Sequence, residues 1–377
     1  MNNAPVKNHF LPSIKGKLII LVAYITLFAF FLYMPLFVEF FTTGKTLNVC
    51  LFVETISPEA IELFEQKTGI KVKLTYAEMD DYIYARFKVN EGEGYDIVNI
   101  ADFMVQLLRT EGLLYPLDHS KIVNAQGLYP HLLNKDYDPG NRYSFPHKWY
   151  VYGFVYDKVF FNKINRDDMS LDLIYKDPKL LVQEGIVKEP YRICTLDDSR
   201  DIVLFAAMKM FGRIDNLTTE ELTLIQDCLV RQKSWVESYT VHSVEYFLFA
   251  DIVPIALTSS NYMRKILSYS DRFDFAIPKE GSMLIMENFA IPKRSKKIEW
   301  AHEFINFMLS DEIMELNSTT YGYNSANRNA NEKIDKKYLL HTHLSPTKEI
   351  FKRLYMPLYP NQLRKKVEEI WLTVGFA

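Results

Sequence analysis

At 377 residues, 48% of them hydrophobic and 24% charged, the chain has enough apolar mass for two lobes or domains and is excluded from the disordered class. A net charge of −3 excludes the strongly basic surface that a nucleic-acid partner demands. The 24 Tyr and 26 Phe are read chiefly as core.

In chain order, the first predicted element is an uncharged apolar run from Leu18 to Val38, long enough to cross a bilayer as a helix. Lys7, Lys15 and Lys17 precede it, and Glu39 and Lys45 follow, so the positive-inside bias leaves the N-terminus in the cytoplasm. The rival reading is a cleaved signal peptide. The run is long for one, and Phe40-Phe-Thr-Thr-Gly44 offers no small-x-small cleavage site, so an uncleaved signal anchor is expected. Residues 1–17 are then a cytoplasmic N-terminus and 18–41 the transmembrane anchor. The remainder lies in the periplasm of a single-pass bacterial inner-membrane protein.

From Thr46 the pattern is α/β. Leu47 to Val53 reads as a strand, and Ser57-Pro58-Glu59 opens a helix with a capping Ser, Pro at its first position and an acid in its first turn. Ala60, Ile61 and Phe64 supply its buried face, and Gly69 ends it. Strands over Ile70 to Tyr76 and Tyr95 to Ile100 alternate with helices over Asp80 to Val89 and on through Leu108. Such alternation predicts a mainly parallel sheet covered on both faces. A turn-rich patch, Asp136 to Asn141, leads into Tyr143-Ser-Phe-Pro146 and the aromatic stretch Trp149 to Tyr156, which suits a crossing between lobes.

Beyond a loop-rich region from Lys163 to Pro190, a strand over Arg192 to Leu196 feeds a helix from Ser199 to Met210. Thr218 and Glu221 form a capping box. Strands over Ile252 to Leu257 and Phe273 to Ile277 follow, then an amphipathic helix from Ile298 and another that Ser310 caps. Lobe 1 is expected over 46–149 and 288–328, lobe 2 over 150–287 and 329–377. Cys50, Cys194 and Cys228 lie far apart in apolar surroundings and read as small buried hydrophobes, with no metal-ligand spacing among them.

Catalytic signatures are missing: there is no G-x-S-x-G elbow, H-E-x-x-H, P-loop or G-x-G-x-x-G. The chain is expected to perform no reaction and to need no cofactor or metal. Instead, chemistry resides in three carboxylates. Glu287 sits on the apolar β-type segment Gly281 to Pro292, and Asp198 and Asp201 open the helix after the Arg192 strand. A charge on such a segment is costly unless something cationic meets it, which points to a small, multiply charged cation as ligand. The competing reading of Asp198 is a helix N-cap, with Asp201 in the first turn where the dipole favours an acid.

Ordered landmarks extend over most of the chain after residue 46. They are Phe64-x-x-x-Thr-Gly-Ile-Lys-Val72; Gly94-Tyr-Asp-Ile-Val98 with Glu111-Gly-Leu-Leu-x-Pro-Leu-Asp118; Leu133-Asn-Lys-x-x-Asp-Pro139 with Tyr143-Ser-x-Pro146; Asp197-Asp-Ser-Arg-Asp201; Pro278-Lys-Glu-Gly281 with Met286-Glu-x-x-Ala-Ile-Pro292; Ile305-Asn-Phe-Met-Leu309; and Gly322-Tyr323. Together they resemble the type 1 extracytoplasmic solute-binding proteins, specifically the periplasmic spermidine/putrescine-binding family of ABC transporters.

The resemblance implies a two-lobed periplasmic-binding-protein fold (type II-like) with a hinge. It also implies a monomer that passes a polyamine or similar organic cation to an ABC permease and ATPase. It places ligand contacts at Phe52, Glu54, Phe103, Asp198, Asp201, Glu287 and Tyr323. The chain departs from the family where Leu257 and Ile285 replace aromatics that sandwich the methylene chain, where Phe52 replaces a tryptophan, and where Val53, Ala101 and Phe103 replace hydroxylic residues; Gln362 is a guess for a C-terminal ligand contact. An aromatic face adds about 0.5–2 kcal/mol per cation, so the losses weaken a polyamine site by roughly tenfold or more. The alternative, a sensory or interaction module that kept the fold but lost this ligand, rests on the same departures.

Overall fold

The computed structural model describes residues 14–41, 45–77, 80–240, 243–333, 348–357 and 361–376. Most of the expected cytoplasmic N-terminus (1–13), the end of the searched cleavage region (42–44) and part of the expected second lobe (334–347) lie outside the described residues. Helix α1 (Ile14–Phe41) contains a stretch, Gly16–Met34, with mean hydropathy 2.2 and none of it buried against the rest of the chain. It is long and apolar enough to cross a membrane.

The first half builds as its local signals dictate. Strand β1 (Thr46–Phe52) leads to α2 (Pro58–Thr68), whose N-cap Ser57 accepts from the Ala60 N–H at 3.1 Å. Gly69 ends that helix at φ +69, a left-handed conformation that glycine adopts without strain. Strand β2 (Lys71–Ala77), α3 (Asp80–Asn90), β3 (Ile97–Ala101) and α4 (Asp102–Thr110) follow. β1 pairs in parallel with both β2 and β3.

The long strand β4 (Ser144–Asp157) then crosses the molecule. Short helices α5 (Asp172–Tyr175) and α6 (Pro178–Gln183) punctuate the loop-rich region. After them come β5 (Ile193–Thr195), α7 (Ser199–Phe211), α8 (Thr219–Gln232), β6 (Val236–Tyr239), α9 (Val244–Phe249), β7 (Ile255–Ser259), α10 (Ser260–Tyr269), β8 (Phe273–Ala276) and β9 (Ser282–Ala290). Beyond β9 lie α11 (Ile298–Met308), α12 (Asp311–Tyr321), β10 (Asn324–Ser325), α13 (Arg328–Lys333), α14 (Lys348–Phe351), β11 (Leu354–Tyr355) and the C-terminal α15 (Asn361–Phe376), which packs on α7 and α8.

The strand order is β2-β1-β3-β9-β4-β7-β5-β6, with β8 and β10 also on β4 and β11 on β9. The expectation of a mainly parallel sheet needs correction at its centre. β9 runs antiparallel to both β3 and β4, and β4 runs antiparallel to β7 and β8. Along β4 the partner changes: Ser144 to Val151 pair with β9, and Tyr152 to Tyr156 pair with β7. The capping box at Thr218 and Glu221 forms in both directions. Ser310 holds the N-cap position of α12, but its hydroxyl turns back to the Phe307 carbonyl at 2.8 Å instead of capping.

Gly153 lies just past the point where β4 changes partners. A Cβ there would meet the Phe275 ring and come within 2.6 Å of the Ala276 carbonyl oxygen. Overpacking of this kind costs about 1–3 kcal/mol, so Gly153→Val is expected to lower the free energy of unfolding by an amount in that range, read as a lower urea midpoint with little change in slope.

Candidate ligand cleft

Two crossing strands form the floor. On β4, Lys148, Tyr150 and Tyr152 share one face by alternation; on β9, Glu287 stands directly opposite Lys148 and Ile285 opposite Tyr150. A register shift between Pro146 and Lys148 re-aims the strand just before this face. Lys148 Nζ lies 2.9 Å from Glu287 Oε1, both side chains being less than one-tenth exposed. Glu287 Oε2 accepts from Asn99 Nδ2 at 2.8 Å, and the Asn99 oxygen faces His147 Nε2 at 2.7 Å. Burial, aided by the neighbouring Lys148 charge, keeps the His147 imidazole pKa well below its usual value. Because Asn99 donates its Nδ2 to Glu287, its oxygen faces the ring and accepts from the His147 Nε2–H.

The opposite wall is the start of α7. Asp198 is exposed and caps the helix, accepting from the Asp201 N–H at 3.0 Å. Arg200 and Asp201 are buried beneath it and pair at 2.5 Å. The Arg200 guanidinium stands 3.6 Å over the ring centroid of Phe103, at the start of α4. Burial pushes the Asp201 carboxyl up to about 7, with Arg200 opposing that shift. Asp102, beside Phe103, accepts from the Phe103 and Met286 N–H groups and is pushed up to about 6 by burial, again against Arg200. Asp80, at the start of α3, accepts from the Ala101 N–H at 3.1 Å. Burial holds its carboxyl well above the usual range, with Arg200, Glu287 and Asp198 near enough to act on it. The Tyr150 hydroxyl is raised by burial and by the charges of Glu287, Asp201 and Asp80.

The structure thus brings Asp198, Asp201, Glu287 and Phe103 to one region. Tyr323 belongs there too: it is buried, and Lys148 Nζ lies 5.1 Å from its ring centroid. Two other expected residues lie at the end of β1, next to Thr55, whose carbonyl accepts from the Tyr323 hydroxyl at 3.0 Å. Glu54 is exposed in a left-handed conformation (φ +59) after β1 and acts on the Tyr321 hydroxyl; Phe52 is half-buried and packs on the core.

The principal correction is electrostatic. The charges of Glu287 and Asp201 are met by Lys148 and Arg200 of this chain, because the crossing of β4 and β9 and the first turn of α7 place a cation beside each. Sequence reasoning missed Lys148, Asn99 and Asp80, and gave Arg200 no role. A lone Lys on the apolar stretch Phe145 to Tyr156 carried the same signal as the lone Glu287 on its own apolar strand.

The three cysteines are free and buried, as read; burial pushes the Cys50 thiol up to about 11 and Cys194 to about 12. Among the described residues, no group of three or more His, Cys, Asp or Glu could hold a metal ion.

A sheet crossed by two long strands, with helix N-termini facing across them, is the architecture of the periplasmic solute-binding proteins. The chain superposes with a TM-score of 0.78 on a solved Listeria monocytogenes structure described as a putative spermidine/putrescine ABC transporter; the two are 27% identical, with 88% of this chain and 99% of that one covered. Residues 59–342 match the model of the bacterial extracellular solute-binding protein family, and the chain belongs to that family. Spermidine/putrescine-binding periplasmic protein 1 of Haemophilus influenzae is 26% identical over 315 residues, covering 82% of this chain and 83% of its own length. Putrescine-binding periplasmic protein SpuD of Pseudomonas aeruginosa is 25% identical over 349 residues, covering 88% and 92%.

Because burial raises Asp102 from 3.8 to about 6, its proton is held more tightly in the folded than the unfolded chain. Its contribution is full below about pH 4 and is lost as pH rises through about 6. Asp102→Asn is expected to remove on the order of 2 kcal/mol of the fall in stability between those values. Urea unfolding at about pH 4 and pH 7 measures it: the gap between wild type and variant shifts toward the variant at the higher pH.

Proposed function

We propose that this protein is the membrane-tethered solute-binding component of an ABC transporter, and that its solute is a polyamine or a similar small organic cation. The observation that carries the reading is the gathering of Asp80, Asp198, Asp201 and Glu287 around one cleft, in a chain whose curated relatives are named for binding spermidine and putrescine. Asp198 and Asp80 are acceptors for an ammonium group, and Phe103 is the apolar face for methylenes, Ile285 and Leu257 being fully buried in the core. Tyr323 contributes its aromatic face.

In this reading lobe 1 is 46–149 with 288–328 and lobe 2 is 150–287 with 329–377. The change of β4 partners after Val151 supports that division. Closure of the lobes over solute favours the closed state by the difference in solute contacts between the two states. Two contacts support such an approach of the lobes: Arg200 over Phe103, and Arg364 of α15 with its guanidinium 4.8 Å from the Tyr84 ring of α3. The protein acts as a monomer and performs no reaction. Helix α1 holds it to the inner membrane, where tethering raises its concentration near the permease.

The second reading, a sensory or interaction module, draws support from Glu287 and Asp201 already having internal partners.

Calorimetric titration with putrescine, spermidine, amino acids and divalent metals separates the readings: saturable binding of an amine supports transport, and silence toward every amine refutes it. Asp198→Asn keeps a good N-cap while removing the charge, so it is expected to weaken amine binding about tenfold without lowering stability. Fractionation of the expressed full chain is expected to leave it in the membrane at its full mass; a shortened soluble product would refute the tether.

A further inference from the structure

A receptor carboxylate calls for a solute cation only where the protein leaves it in need of one. At Glu287 both oxygens are engaged by this chain, Oε1 by Lys148 Nζ at 2.9 Å and Oε2 by Asn99 Nδ2 at 2.8 Å. The same ammonium lies 5.1 Å from the centroid of the Tyr323 ring. A carboxylate and an aromatic face, together and almost dry, are the surroundings that hold a bound alkylammonium. Lys148 supplies that alkylammonium from within, on a four-carbon stem rooted in the crossing strand β4.

The cleft is not symmetrical in this respect. Around α7 and α3, Asp198 is exposed and Asp80 half-buried. Among the described residues no Lys forms a salt bridge with either, and the nearby cation, the Arg200 guanidinium, is paired with Asp201 while acting on both at longer range. That end can still accept a cation from solution; the Glu287 end cannot do so without displacing Lys148.

We propose that Lys148 is a built-in ammonium filling one of two cation positions in the cleft, so that the protein selects solutes with a single ammonium group and an apolar or neutral tail over α,ω-diamines and longer polyamines. The inference rests on the reading of the cleft as an amine site and narrows its solute class. A second ammonium arriving at Glu287 would meet the Lys148 charge in a dry site, where like charges repel strongly. A neutral tail brings no charge for Lys148 to repel. Without Lys148, the stem's volume and the freed carboxylate together form a seat for the far end of a diamine.

Full-length protein in detergent micelles is titrated calorimetrically with n-butylammonium, putrescine and spermidine, as wild type, Lys148→Met and the charge-neutral pair Lys148→Met with Glu287→Gln. Wild type is expected to bind butylammonium at least about threefold more tightly than putrescine. Lys148→Met is expected to bind putrescine about tenfold or more tightly than wild type, with butylammonium little changed, and the added Glu287→Gln is expected to erase that gain.

Wild type binding putrescine within about threefold of butylammonium, or more tightly, would overturn the inference while upholding the amine reading. So would a folded Lys148→Met with unchanged or weaker putrescine binding. Wild type binding no amine at all would overturn both. Should Lys148→Met alone fail to fold, the wild-type ratio still decides, and the neutral pair, which buries no lone charge, shows whether a diamine site exists without Glu287.

Discussion

The cross-strand pair of Lys148 and Glu287 is the constraint on which the cleft depends. Each ion would cost several kcal/mol to bury alone, and mutual attraction offsets that only with good geometry and with the remaining polar positions filled. Here Asn99 takes the second carboxylate oxygen and His147 orients Asn99, so the network reaches from β4 through β3 to β9. β4 and β9 are the strands that both halves of the sheet share. A pair locked between them fixes the register of the crossing and the position of every charge that faces it. Such pairs are weak sources of net stability and better explained by the arrangement they specify.

The α7 wall repeats the logic with different chemistry. Arg200 neutralises Asp201 next to it in sequence and lays its guanidinium on Phe103 from α4. The planar, weakly hydrated guanidinium suits this double duty, since one face can stack while the edge donates to a carboxylate. A lysine at that position would meet Asp201 as a point charge and lose the ring contact. At both ends of the cleft, therefore, an acid predicted to await a cation already has one, but only the Arg200 end also ties α7 to α4.

What was legible in the sequence was local. Ser57-Pro58 with Gly69, and Thr218 with Glu221, announce helix ends because capping involves residues within a turn of one another, and the structure places those ends where the residues do. The strands alternating with helices were visible for the same reason, and the ordered landmarks carried the fold class. Illegible were pairings between distant segments. Glu287 meets Asn99 across 188 positions, and nothing in either neighbourhood names the other. The antiparallel insertion of β9 between β3 and β4 is equally nonlocal, which is why the reading of a mainly parallel sheet overstated the parallel character. Strand β6 and the C-terminal helix α15 went unread, being short or polar enough to pass for loop. Lys148 was different: the argument that singled out Glu287, a lone charge on an apolar strand, applied to it unchanged.

Internal cations also alter how such a molecule closes. In a cleft lined only by acids, bringing the walls together concentrates like charge, and the empty closed state is disfavoured until solute arrives. Lys148 and Arg200 remove much of that repulsion, and Arg200 adds an attraction of its own to Phe103, worth about 0.5–2 kcal/mol for a cation on a ring. The gap between the empty open and empty closed states narrows accordingly. Solute then needs a smaller differential affinity to shift the population, but it also has less unmet charge from which to draw that affinity. A cleft of this kind trades strength of cation binding for ease of closure. On the proposed reading of the cleft, discrimination falls to the acceptors still without a built-in ammonium, Asp198 and Asp80.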